Sequence, residues 1–218
     1  MDSNKEKGLP NFIEIYSPTM KHLLLALFIL THLNSYTQTV PTHYNFSHKI
    51  MEVEGDLNKD SLPDKAIVTQ DTINENAPYR LQVFFKETNG NYKLIVTSTK
   101  IIEPQYPDGR DGYSTGNDFG AISINKGVLN LRFDLLRGNF KHKFRFQKGN
   151  FELIGYSEVS SNGQGEMTTI DFNLSTGVRI EKLERYDTDK LLSYKKKKIL
   201  IRPLPKLQDI TAMDNELY

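Results

Sequence analysis

A short acidic stretch has the residue types and the spacing of a cation-binding loop. Oxygen-bearing side chains occupy positions 1, 3, 5 and 9 of a segment that begins at Asp56, namely Asp56, Asn58, Asp60 and Asp64. In a tightly curled backbone, side chains at alternate positions converge on one side, and the backbone carbonyl of Leu62 at position 7 can join them. A hard cation takes about six to eight oxygen ligands of this kind. The sequence therefore predicts a metal site formed by Asp56, Asn58, Asp60, Leu62 and Asp64.

Calcium is the ion that this loop favours. Three carboxylates so close together would repel one another without a cation between them. Mg2+ fits the pattern less well, because it prefers few protein ligands in a rigid octahedral geometry. The loop does not match an EF-hand, whose twelfth position requires Glu, because that position is Ile67 in this chain. A solvated acidic turn that holds no metal is the alternative interpretation of the same residues.

The segment from Glu54 to Asp71 resembles the FG-GAP and VCBS-type calcium loop of integrin-like propellers and related exported bacterial proteins. It shares a Gly-Asp-x-Asn-x-Asp-x-x-x-Asp pattern that leads directly into a strand. It differs at Ser61, where the family usually has Gly, and it occurs once, whereas the family pattern usually recurs. The chain also looks more loosely like a group of exported bacterial proteins of unassigned role, which end in hairpins similar to residues 144–156. This resemblance implies a calcium-stabilised β-domain and no particular activity.

A second group of carboxylates lies in a long polar segment, residues 103–120, which also contains aromatic side chains. Asp108, Asp111 and Asp118 are its candidate catalytic residues. Paired carboxylates beside aromatic rings could serve as the acid and base of a glycosidase. The same loop could instead bind a sugar or a peptide, or could simply be a surface loop kept soluble by its charges. No P-loop, Gly-x-Ser-x-Gly or dinucleotide-binding fingerprint is found, and the chain has no Cys.

The elements that must position these groups are predicted to be strands. Apolar and polar residues alternate with period 2 through most of the chain, and turn signals such as Asn89-Gly90 separate the alternating windows. The strand windows are 65–70, 79–86, 92–100, 127–136, 139–147, 151–157, 167–174, 177–183 and 196–202. We therefore expect an all-β fold, an antiparallel meander of about ten strands that forms a sandwich or a partly open barrel, with one long polar loop.

Three smaller features complete the expected architecture. The charged segment 184–198 predicts a short helix before the final strand. The run Lys195–Lys198 is interpreted as protection of an edge strand against pairing with another sheet. His142 falls on the apolar side of its strand, between Phe140 and Phe144, so we expect a core histidine rather than a catalytic base.

The N-terminal residues have the layout of a secretory signal. Lys21 precedes an apolar run over residues 23–30 that is too short to span a bilayer, and small polar residues follow it. We expect residues 1–37 to comprise an N-terminal extension and a signal peptide, with Met20 as a second candidate start. Residues 38–218 then form a single β-rich domain with no transmembrane segment, located in the periplasm or secreted.

Charge and composition narrow the class of function. The chain of 218 residues carries 28 Lys and Arg against 27 Asp and Glu, which gives a formal net charge of +1 and argues against a nucleic-acid partner. Two functions remain open. One is an exported, calcium-stabilised, noncatalytic binding or structural protein of the bacterial envelope, whose partner is an envelope protein or a glycan. The other is a secreted glycosidase-like hydrolase that uses the carboxylates of residues 103–120.

Overall fold

The described part of the chain consists of antiparallel strands that follow one another in sequence order. The computed structural model describes residues 44–113 and 119–212, all of which belong to one compact unit, His43–Tyr218. The strands are β1 (His48–Gly55), β2 (Asp64–Gln70), β3 (Tyr79–Lys86), β4 (Tyr92–Ser98), β5 (Phe119–Asn125), β6 (Val128–Leu135), β7 (Gly138–Gln147), β8 (Asn150–Ser161), β9 (Glu166–Asn173), β10 (Val178–Arg185) and β11 (Leu191–Lys198). Strands β1 to β4 form one meander, and β5 to β11 form a second sheet of seven strands. The predicted all-β antiparallel fold is confirmed.

Tight turns account for this order. Lys126 and Gly127, between β5 and β6, have φ values of 50° and 73°, and Lys148 and Gly149, between β7 and β8, have 52° and 76°. Positive φ at both central residues is typical of the type I′ turn, whose twist matches that of the strands it joins. The predicted turn at Gly90 also has a positive φ of 87°. Within each sheet, each strand is therefore followed by its antiparallel neighbour.

The two sheets share one hydrophobic core. Val68, Leu81 and Val83 of the four-stranded sheet and Leu129 and Phe144 of the seven-stranded sheet are completely buried in a single cluster. Phe85 of β3 also packs edge-on against Phe146 of β7, with ring centroids 4.8 Å apart. The alternation seen in the sequence thus separates a core face from a solvent face in both sheets.

The region after β10 differs from the prediction. The prediction of a short helix within residues 184–198 is wrong, since Leu191–Lys198 forms β11 and pairs with β10 along most of its length. The last strand therefore begins before the predicted window of 196–202 and ends at Lys198. Both faces of β11 are largely exposed, so no apolar alternation marked it as a strand. Lys195–Lys198 does lie on a strand at the edge of the sheet, as predicted.

Two further strands were missed for related reasons. In β1, no residue is fully buried, and its four partly buried residues are 51, 52, 53 and 55, so its alternation is weak. Strand β5 begins at Phe119, inside the segment predicted to be the long polar loop. Its inward-facing residue Ile122 is buried, but its neighbours contribute little apolar pattern.

The C-terminal segment closes one end of the core. Strand β9 pairs only with the later part of β8, from Gly155 onwards. Beside the first part of β8, residues 205–207 of the C-terminal segment lie where β9 would otherwise continue. Leu153 N–H donates to Pro205 O over 2.8 Å, and Leu207 N–H donates to Phe151 O over 2.9 Å. The side chain of Leu207 is completely buried in the shared core. None of the described residues forms a helix long and apolar enough to cross a membrane.

Candidate metal-binding loop

The candidate loop, residues 56–63, connects β1 to β2 and is anchored in the core. Leu57 is only 1% exposed and belongs to the shared hydrophobic cluster. Lys59 and Ser61 have φ values of 71° and 69°, in the left-handed region that curls the backbone tightly. Ser61 therefore adopts a conformation that favours Gly, the residue that usually occupies this position in the FG-GAP-type pattern.

Hydrogen bonds from the backbone hold the exposed part of the loop in this curl. The Asp56 carboxylate accepts from Lys59 N–H over 2.5 Å and from Ser61 N–H over 2.9 Å. The Asp60 carboxylate accepts from Leu62 N–H and from the Asn58 side-chain amide, both over 2.8 Å. The Asn58 side-chain oxygen in turn accepts from Asp60 N–H over 3.0 Å. Each oxygen-bearing side chain of the loop thus fixes the backbone around it.

Asp64 is the buried member of the set. Its side chain is completely inaccessible to solvent, although it opens strand β2 directly after the exposed loop. One carboxylate oxygen accepts from Leu57 N–H over 2.8 Å, and the other accepts from Lys86 N–H, at the end of β3, over 3.0 Å. Asp64 therefore links the start of the loop to a strand 22 residues further along the chain.

Burial is the main influence on the ionisation of Asp64. It raises the pKa of this carboxyl above its usual range, and the negative charge of nearby Asp60 acts in the same direction. The hydrogen bonds from Leu57 and Lys86 act against this rise. A cation beside Asp64 would favour the ionised form of this carboxyl.

The donor set matches calcium in chemistry, but the side chains are not converged. Within residues 44–113 and 119–212, no three His, Cys, Asp or Glu side chains form a group that could hold a metal ion. A carboxylate has about four acceptor positions, and Asp56, Asp60 and Asp64 each use two of them in the bonds above. Acceptor capacity therefore remains on all three. Asp56, Asn58 and Asp60 lie together on the turn, whereas Asp64 is directed towards the sheet.

The second group of carboxylates lies only partly within the described residues. Asp108 and Asp111 are exposed in the turns that follow Tyr106. The guanidinium of Arg110 lies 5.6 Å from the centroid of the Tyr106 ring. Asp118 lies outside the described residues, as do residues 1–37 with the expected signal peptide. With Asp118 outside the described residues, the set of Asp108, Asp111 and Asp118 stays a prediction.

His142 lies in the core, as predicted. It is completely buried, and the Phe140 and Phe133 rings lie 5.4 and 5.7 Å from its own, centroid to centroid. Burial lowers its pKa to about 4. This environment stabilises a neutral imidazole within the aromatic cluster.

Sequence analysis did not identify a groove on the solvent face of the seven-stranded sheet. The groove, called the basic groove below, has a volume of about 360 Å³. Its lining residues are Ala121, Ser123, Asn125, Asn130, Arg132, Lys141, Lys143 and Ser157. The only sign of this groove in the sequence was the alternation of Lys141 and Lys143 with buried residues. The residues that lie beside these lysines could not be predicted, because they come from four strands and depend on the register of the sheet.

Comparison with protein-family models, with curated proteins and with solved structures gives no match for this chain. Function is therefore argued below from two features of the described residues, the loop between β1 and β2 and the basic groove.

Proposed function

We propose that this chain is an exported, noncatalytic β-domain of the bacterial envelope that binds a partner there and is stabilised by one calcium ion in the loop of residues 56–64. The observation that carries the proposal is the dual position of Asp64. It belongs to the alternate-position oxygen set, and it also ties the loop to the end of β3. An ion at this point would stabilise the sheet as well as the loop.

The backbone of the loop supports this role. Its left-handed residues, Lys59 and Ser61, already curl it tightly. Asp56, Asn58, Asp60 and Asp64 would hold the ion, together with the carbonyl of Leu62. A bound calcium ion supplies positive charge between carboxylates that otherwise repel one another. The remaining change is a rotation of the exposed Asp60 and the partly buried Asp56 side chains towards Asp64, which the core holds in place.

The expected signal peptide supports the exported location. Calcium loops of extracellular modules bind with dissociation constants of about 10⁻⁴–10⁻³ M, and they are filled where calcium is abundant. A modest affinity of this kind suits a protein outside the cytoplasm. In this proposal the ion has a structural role, and the exposed sheet surface carries the binding role.

The experiment is a thermal unfolding series of the full chain in EDTA and in 10 mM CaCl2. A ligand at about 10 to 100 times its dissociation constant stabilises the folded state by about 1.4 to 2.7 kcal/mol. For a chain of this size, that corresponds to an increase in Tm of about 3 to 11 °C. Asp60→Ala should remove most of this increase, because it deletes a ligand.

Lys59→Ala is the matched control, since it changes the adjacent residue of the same turn without removing a ligand. It should leave the calcium-dependent increase intact. If the Tm of the unaltered chain is the same in EDTA and in calcium, residues 56–64 are an acidic turn and the proposal is wrong.

A further inference from the structure

The basic groove brings together three cations from neighbouring strands. Arg132 of β6 pairs directly with Lys141 of β7, so their Cα atoms are about 5 Å apart. Lys143 is two residues beyond Lys141 on the same face of β7, about 7 Å away along the strand. The Cα atoms of the three residues thus form a triangle with sides of roughly 5, 7 and 8 Å on one face of the sheet.

Two of these three cations are not neutralised by the protein. Arg132 forms an ion pair with Asp134 over 2.6 Å. Lys141 and Lys143 have no ion-pair partner within residues 44–113 and 119–212, whereas Lys65 contacts two glutamates. The nearest acid in the cross-strand row of Lys141 is Asp171, on the far side of Ser157. The groove therefore has an uncompensated charge of about +2.

Small polar groups line the space between the charges. Ser123 and Asn130 face each other across β5 and β6, and Ser157 lies opposite Lys141. Asn130 uses its amide nitrogen on the carbonyls of Ser123 and Val128, so its side-chain oxygen can accept from a ligand. Gly155 leaves space for the Lys143 side chain, because a Cβ at this position would lie 3.2 Å from it.

The composition of the lining limits the class of ligand. None of the lining residues is aromatic, so neither a neutral sugar ring nor a nucleic-acid base has a surface to stack on. Hydroxyl and amide groups can hydrogen-bond to the hydroxyls of a sugar, and the two free ammonium groups can each pair with a carboxylate. The charge spacing suits a polymer with repeated negative groups.

We propose that the basic groove binds an acidic polysaccharide, a chain of sugars that carry carboxylates, with Lys141 and Lys143 as its charge contacts. This inference rests on the partner-binding role proposed above and does not depend on the calcium loop. Ser157, Asn130 and Ser123 contribute hydrogen bonds to the sugar hydroxyls.

The test measures binding of the full chain to alginate, a polymer of uronic acids, in EDTA because alginate itself binds calcium. Neutral dextran and inorganic polyphosphate are the comparison probes. Lys141→Gln combined with Lys143→Gln should weaken alginate binding at least fivefold and should leave Tm unchanged, since both side chains face solvent. Binding of the unaltered chain should also weaken as NaCl increases.

The chain offers a closely matched control on the same face. Lys196 and Lys198 of β11 lie in the same cross-strand rows as Lys141 and Lys143, four strands or about 19 Å away. Lys196→Gln combined with Lys198→Gln changes the net charge by the same amount and should change alginate binding less than twofold. Arg132→Gln is a second groove variant that should also weaken binding.

The possible results separate this inference from the proposed function. Equal losses in the two double variants would show attraction by bulk charge and overturn the inference. Tighter binding to polyphosphate than to alginate, equal binding to dextran, or no binding to alginate would also overturn it. A failure of the calcium proposal would appear as an unchanged Tm in EDTA and would leave the alginate result intact.

Discussion

Replacement of Asp64 by Ala should destabilise the fold even when no calcium is present. The change removes the acceptors of two backbone N–H groups, those of Leu57 and Lys86. The bond from Leu57 is buried, and an unsatisfied buried donor costs about 1–3 kcal/mol. The bond from Lys86 is partly buried, so water can replace part of it. We expect a total loss of about 3 kcal/mol in the free energy of unfolding.

Two companion variants test the origin of this loss. Asp64→Asn keeps one acceptor oxygen but directs an N–H2 group at the second donor, so we expect about half of the loss. Asp60→Ala removes bonds to exposed groups only and should cost less than about 1 kcal/mol in EDTA. In calcium, the loss caused by Asp60→Ala should increase, because the variant then also lacks a metal ligand.

Urea unfolding of the full chain in EDTA, followed by circular dichroism, measures these differences. Linear extrapolation gives the free energy of unfolding, and an unchanged m value shows that the variants unfold to a similar extent. A loss below about 1 kcal/mol for Asp64→Ala in EDTA would refute the argument that its hydrogen bonds link the loop to β3. A loss present only in calcium would assign Asp64 to metal binding alone.

Two more predictions concern the core. Burial lowers the pKa of His142 to about 4 from 6.5, so the unfolded chain takes up a proton at a higher pH than the folded chain. The free energy of unfolding should therefore fall by about 3 kcal/mol as pH decreases from 6.5 to 4. In urea titrations at several pH values, His142→Gln should remove most of this pH dependence, and replacement of the exposed His48 by Gln should not. An unchanged pH dependence in His142→Gln would contradict its assignment to His142. Leu207→Ala should lower the free energy of unfolding by about 2–5 kcal/mol, because Leu207 is completely buried. Leu200 is 63% exposed, so Leu200→Ala should lower it by under about 1 kcal/mol. Similar losses in the two variants would show that the C-terminal segment does not close the core.

Alternation in the sequence was sufficient to predict the strands that have one buried and one exposed face. Leu129 and Leu131 of β6 and Phe140 and Phe144 of β7 are buried, as the period of two indicated. The turn residues then implied antiparallel neighbours, and with them the all-β class. The same alternation did not predict the start of β11, because both faces of this strand are largely exposed and a strand without a buried face has no apolar period.

The sequence also determined which side chains belong to the candidate metal-binding loop, because these residues lie within nine positions of one another. It could not show that Asp64 accepts a hydrogen bond from Lys86, a residue 22 positions away on another strand. Nor could it place Arg132, Lys141 and Ser157 side by side, since that arrangement depends on the register of three strands. A shift of one residue in any pairing would turn these side chains to the opposite face of the sheet. Register depends on how the apolar faces pack and on the geometry of the turns, so only the tertiary structure decided where the charges meet.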